Sequence, residues 1–118
     1  MVDIDKQNVK ALIVELNKKP LVKEIPKNLE AFRNIVGNQS IEMEIYKRAV
    51  LVYDMQGLAK NLPITRYVDT DSGKKAIRGT FLLMGNDSYY GDYQDLTEDE
   101  INEFMKEFEL EQEEELEM

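Results

Sequence analysis

Carboxylates are the one reactive side-chain type that this sequence crowds together. Thr97-Glu98-Asp99-Glu100 opens a stretch that continues through Glu103, Glu107 and Glu111 to Glu113-Glu114-Glu115 and Glu117. Paired carboxylates do general acid–base work when their surroundings hold one protonated and leave the other ionised. On a solvated helix and tail nothing separates them, so the pattern predicts an anionic surface, not a catalytic pair. The 118 residues include no histidine and no cysteine. Imidazole bases and ligands, Ser-His-Asp and Cys-His nucleophiles, disulfides and thiolate metal sites are thereby excluded.

Other motifs fail on spacing. Asp69-x-Asp71-x-Gly73 opens like a calcium loop, but Gly73, Lys74 and Thr80 stand where that pattern needs Asp or Asn, Gly and Glu. The glycines form neither a P-loop nor a dinucleotide fingerprint. The expectation is a protein that is not an enzyme and takes no cofactor and no metal.

The net charge of −9 is unevenly spread. Residues 1–86 sum to +4, whereas residues 87–118 sum to −13 and contain a single lysine, Lys106. Such asymmetry governs association rather than fold. The basic residues Lys18, Lys19, Lys23, Lys27, Lys47, Arg48, Lys74, Lys75 and Arg78 fall largely in turns. Nucleic-acid binding would require them on one face, in competition with the protein's own anionic segment. No run reaches the roughly 18 apolar residues of a membrane span, and the first residues lack the apolar stretch of a signal peptide. With no cysteine to oxidise, the expected location is the cytoplasm.

The elements that must carry these charges are legible from periodicity. Val9–Leu16 reads as a buried strand, 17–20 as a turn, and Leu21–Ile25 as the returning strand, stopped by Pro26. Asn28 caps a short helix to Val36, with Leu29, Phe32, Ile35 and Val36 on one face and Gly37 as its left-handed stop. Ser40–Tyr46 alternates as a half-solvated strand. Lys47-Arg48 then turns the chain into the apolar strand 49–53. Pro63 argues for an irregular or edge segment over 58–68, and 69–75 reads as a polar loop. Residues 76–84 read as one strand with Gly79 inside it, broken by Gly85-Asn86-Asp87. Residues 88–95 read as an ordered loop. Arg66 is expected to pair with Asp69 or Asp71, the alternative being a guanidinium that faces a ligand.

The last element is a helix over 97–110. Thr97 and Glu100 form a capping box, and Ile101, Phe104, Met105 and Phe108 form a two-turn apolar stripe. The expected organisation is one α+β domain over 1–110, an antiparallel sheet of four to five strands with two helices, followed by an acidic, frayed tail over 111–118.

An ordered series of short motifs adds to this. Leu-Glu-Ala-Phe-Arg-Asn-Ile-Val-Gly (29–37), Leu-Pro-Ile-Thr-Arg (62–66), Ile-Arg-Gly-Thr-Phe-Leu-Leu-Met-Gly (77–85) and Leu-Thr-Glu-Asp-Glu-Ile (96–101) follow in turn. The chain resembles, over residues 9 to 109, the family of small domains catalogued as DUF3846, found in bacteria, phages and other mobile elements. The resemblance implies a compact α+β domain in a mobile-element setting. It implies no activity and transfers no catalytic residue.

The functional expectation is a binding or regulatory module acting through protein contacts, with a basic-surfaced protein as partner. Tyr89, Tyr90 and Tyr93 are candidate contacts, because tyrosine offers large amphipathic area at low entropic cost. Glu98, Glu103, Glu107 and Glu111 are the candidate carboxylates. The alternatives are a DNA-mimic inhibitor working through the acidic helix and a direct nucleic-acid binder working through the basic turns.

Overall fold

The computed structural model describes residues 8–87 and 92–110. The chain forms β1 (Asn8–Val14), β2 (Leu21–Pro26), α1 (Leu29–Val36), β3 (Ile41–Tyr46) and β4 (Ala49–Asp54). There follow β5 (Ile64–Thr70), β6 (Gly73–Arg78), β7 (Phe81–Asp87), β8 (Asp92–Gln94) and α2 (Glu98–Glu107). The α+β class is as expected. The strand count is larger: an antiparallel sheet runs β2-β1-β7-β4-β3 with β8 paired to β7, and β5-β6 make a separate two-stranded sheet.

The central strands are apolar almost throughout because both faces of the sheet are covered. Alternate residues serve opposite cores. Leu12, Val14, Ala49, Leu51, Phe81 and Leu83 face α2 and the β5–β6 ribbon, packing with Val68, Ile77, Phe104 and Phe108. Val9, Ala11, Ile13, Val50, Val52, Leu82 and Met84 face the other way, against Phe32 and Val36 of α1. Each fully buried large side chain contributes about 1.5–3 kcal/mol. Both helices are short, and this burial is what holds them.

The structure refines the expectations over 58–87 and replaces part of the loop expected over 88–95 with β8. Of the irregular or edge readings of 58–68, residues 64–70 take the edge one: they form a strand of the two-stranded sheet, with Pro63 just before its first residue, where it removes no ladder donor, and the Pro63 carbonyl accepts the Gly79 N–H at 3.0 Å. Residues 73–75, read as loop, already belong to β6, paired with β5 through Thr70↔Gly73. The stretch 76–84 is two strands rather than one, because Gly79 adopts φ +80° and turns the chain out of the small sheet into the large one.

Gly85 does not end β7. It pairs with Ala49 on one edge and Gln94 on the other. The backbone of β8 passes so close that a Cβ on Gly85 would lie 2.4 Å from the Asp95 carbonyl oxygen. Here β1 parts from β7 and the chain after β8 takes its place: Lys10 N–H donates to Asp95 Oδ1 at 2.7 Å, and Leu96 N–H donates to the Lys10 carbonyl at 3.1 Å. Among the described residues no helix is long and apolar enough to cross a membrane.

Candidate functional site

Helix α2 opens with the expected capping box. Glu100 N–H donates to Thr97 Oγ1 at 3.1 Å, and Thr97 N–H donates to Glu100 Oε1 at 2.8 Å. Glu98, Asp99 and Glu100 sit in the first turn, where the helix dipole favours negative charge. The apolar stripe is consumed by the core: Phe104 and Phe108 are sealed, and Ile101 and Met105 are partly covered. Phe108 meets Phe81 edge-on at 5.4 Å between ring centroids, and Phe104 stacks with Tyr46 at 6.2 Å. The helix stops at Glu107, three residues short of expectation, because Phe108 leaves helical geometry to enter the core as C-cap.

The four candidate glutamates do not form one surface. Positions 98 and 103 stand about 140° apart around a helix of 3.6 residues per turn, whereas 103 and 107 share a face. That face looks at the β3–β4 turn. Lys47 Nζ lies 2.9 Å from Glu107 Oε1 and 3.8 Å from Glu103 Oε2, and the Tyr46 hydroxyl donates to Glu107 Oε2. Glu107 is thus held by the body, while Glu103 remains 56% exposed. Glu98 and Asp99 are exposed. Glu111 lies outside the described residues.

Of the tyrosines, Tyr89 and Tyr90 lie outside the described residues. Tyr93 is largely committed to packing. Its ring meets Phe32 edge-on at 5.4 Å, and its hydroxyl reaches Met43 Sδ at 3.4 Å. Its carbonyl accepts the Lys27 ammonium at 3.4 Å.

Arg66 takes a different role from the expected ion pair. Residues 66 and 69 point to opposite faces of β5, so the guanidinium turns inward. It donates from Nε to the Phe108 carbonyl at 2.9 Å, from Nη2 to the Lys18 carbonyl at 2.9 Å and from Nη1 to the Thr65 carbonyl at 2.7 Å. A cation on the last carbonyls of α2 complements the negative end of its dipole. Asp69 pairs instead with Lys74 at 3.6 Å, on the exposed side of the ribbon.

Two further clusters were not legible in the sequence. Lys75 Nζ donates to the Tyr53 hydroxyl at 2.7 Å and to Glu44 Oε1 at 3.1 Å, and Tyr53 in turn donates to Glu44. Strand alternation places Glu44 beside Tyr53, but only tertiary packing delivers Lys75. The second cluster surrounds the buried Asp54, whose Oδ1 accepts from Asn38 Nδ2 at 2.6 Å and from Gln56 N–H at 2.7 Å. Lys60 Nζ lies 2.7 Å from its Oδ2.

The electrostatics of these clusters run in one direction. Burial, reinforced by the bond and charge of Glu107, pushes the Tyr46 hydroxyl up to about 12. Burial raises Tyr53 as well, against the opposing pull of Lys75. Lys47 is raised by its bond to Glu107, and Lys75 by its bond to Tyr53. Burial alone would raise the Asp54 carboxyl, but Lys60, the Gln56 N–H and the Asn38 amide together hold it below the ordinary 3.8. These five groups of the described residues all move away from neutrality, the reverse of what an acid–base catalyst needs. Among the described residues no three acidic side chains gather in a metal-binding group.

The match to a family model completes the comparison: residues 9–109 fit the domain of unknown function DUF3846. The chain belongs to the DUF3846 family. Within this DUF3846 domain, the matched span includes both helices and all eight strands except the first residue of β1. No curated protein and no solved structure matches the chain.

Proposed function

We propose that this DUF3846 domain is a non-enzymatic binding or regulatory module of a bacterium, phage or mobile element, which works in the cytoplasm through protein contacts made by the exposed carboxylates of α2. The observation that carries this reading is the division of labour on α2. Its apolar stripe is spent on the core, while Glu98, Asp99 and Glu103 stand exposed on a helix anchored by the buried Phe104 and Phe108. Fixed exposed carboxylates steer a basic partner and select its register at little entropic cost. The drift of the shifted groups away from neutrality also favours binding over catalysis.

DNA mimicry has less behind it. The described helix is ten residues, about 15 Å long, and Glu107 is already neutralised by Lys47 and Tyr46. Direct nucleic-acid binding has less still, since Lys27, Lys47, Lys75 and Arg78 all donate to acceptors within the fold.

The test is capture of partners from bacterial lysate on the immobilised domain and on an E98Q/D99N/E103Q variant, at low and high salt. The retained protein is then titrated against both forms. Affinity that falls steeply with salt and is weakened at least tenfold in the variant supports the reading. Equal affinity for both forms, flat in salt, ends it.

A further inference from the structure

Strands β2 and β3 are the two edges of the large sheet, and they are guarded differently. β2 carries Lys23, Glu24 and a terminal Pro26, devices that discourage another strand from pairing. β3, Ile-Glu-Met-Glu-Ile-Tyr, has no lysine, no proline and no bulge. Its register with β4 is unbroken from Ile41↔Asp54 to Tyr46↔Ala49.

The turn beyond it fixes which backbone groups are spent. Lys47 and Arg48 both have positive φ, so Tyr46 and Ala49, which close the two-residue turn, exchange both their backbone bonds. Alternation then commits Glu44 and Glu42 to β4 as well. The Met55 N–H, donating to the Ser40 carbonyl at 3.1 Å, continues the same series. The N–H and C=O groups of Ile41, Met43 and Ile45 therefore point away from β4, along an edge where no described strand pairs.

The side chains of this edge divide by face. Glu42 and Glu44 share the α2 side with the buried Tyr46. Ile41, Met43 and Ile45 share the other side, where the first two pack on the core and Ile45 is 60% exposed. Glu44 is bonded to Lys75 and Tyr53, whereas Glu42 has no ion-pair partner among the described residues.

We propose that the β3 edge accepts an extended peptide as a further strand, with apolar side chains beside Met43 and Ile45 and lysine or arginine beside Glu42 and Glu44. Backbone bonds to the outward groups give such an added strand its affinity, and the alternating side chains give it selectivity. A second copy of the chain fits poorly. An antiparallel register centred on Met43 sets Glu42 against Glu44 twice, and one centred on Glu44 sets that residue against itself; like charges directly opposite destabilise. A register centred on Ile45 brings Arg48 to Glu42 but leaves Ile45 alone with a backbone partner, since the chain turns away at Lys47. Arg48 is exposed at that turn, so the basic part of the peptide must end before it. This inference goes beyond the α2 reading and stands on a different element.

The probe is the capped peptide Val-Lys-Val-Lys-Val, with Val-Glu-Val-Glu-Val as control, titrated into the isotope-labelled, folded domain. The lysine peptide should shift the amide resonances of Met43 and Ile45 saturably and slow their hydrogen exchange, and the glutamate peptide should not. I45P removes an outward N–H without touching the β4 ladder and should abolish the response. E42K leaves the backbone intact and should weaken the lysine peptide about tenfold. Equal responses to both peptides, or a response that either variant leaves unchanged, overturn the proposal. So do Met43 and Ile45 amides that exchange slowly before any peptide is added, or a dimer in sedimentation that I45P dissolves. The E98Q/D99N/E103Q variant should respond to the lysine peptide like the parent, so this edge and the carboxylates of α2 can each fail alone.

Discussion

Lys47 sits in a two-residue turn at φ 52° and reaches across to Glu107 at 2.9 Å, joining the β3–β4 hairpin to the end of α2. Arg48 beside it has φ 72°. Two consecutive non-glycine residues in the left-handed region cost about 1–2 kcal/mol each. An Asn-Gly turn would avoid that strain, but it would lose the ammonium that meets Glu107 and Glu103 and lies 5.3 Å from the Tyr46 ring centroid.

The Lys47–Glu107 contact is testable by a double-mutant cycle. Lys47 is 43% exposed and Glu107 22%, so screening limits the coupling to about 0.5–1 kcal/mol. Urea unfolding of K47M, E107Q and the double variant should return a coupling of that size, shrinking in 1 M NaCl. A K47N/R48G variant is expected to recover backbone strain while losing the same coupling.

Tyr46 gives the domain an alkaline limit. Its folded pKa of about 12 lies above the ordinary 10.0, so its contribution is complete below pH 10 and is lost as pH rises through 12. Lys47 and Lys75, also raised, act in the same direction. Stability in urea should fall between pH 10 and 12, by up to about 1.4 kcal/mol per pH unit for each proton involved. An ultraviolet titration should show a late tyrosine ionisation that Y46F removes.

Asp54 sets the acid limit. Its carboxyl is held below 3.8, so its contribution is present above that value and lost as pH falls through the lowered one. D54N should cost about 1–3 kcal/mol at pH 7, through the loss of a charge bonded to Asn38, Gln56 and Lys60. The variant should also be less sensitive than the parent to acid below pH 4.

Gly85 and Gly79 separate two costs of adding a methyl group. At Gly85 a Cβ meets backbone oxygen of Asp95 at 2.4 Å and of Gln94 at 2.8 Å. Neither can yield without breaking the β7–β8 pairing. At Gly79 the near atom is Leu62 Cδ1 at 2.9 Å, the end of a flexible side chain, and the main cost is φ +80°. G79A should cost about 1–2 kcal/mol. G85A should cost about 3 kcal/mol or more and should expose the Lys10 and Leu96 amides to faster hydrogen exchange.

What the sequence alone determined is what local physics controls. Asn28 and Thr97 can cap because a side-chain oxygen two or three residues from an orphan N–H needs no help from the rest of the fold. Phe104 and Phe108 were legible as core because helical periodicity brings them to one face. The exclusion of imidazole and thiol chemistry is purely compositional. What tertiary structure decided is every relation between residues distant in sequence. The strand at 64–70 was hidden because the first half of its partner β6, residues 73–75, was read as loop and the rest was joined to β7, and β8 because its three residues have no pattern of their own. Arg66 was assigned to a nearby aspartate because sequence distance is visible and strand parity is not. The acidic helix looked uniform in the sequence. Only the approach of the β3–β4 turn, driven by apolar burial with no regard to charge, gave Glu107 a lysine and left Glu98 to solvent.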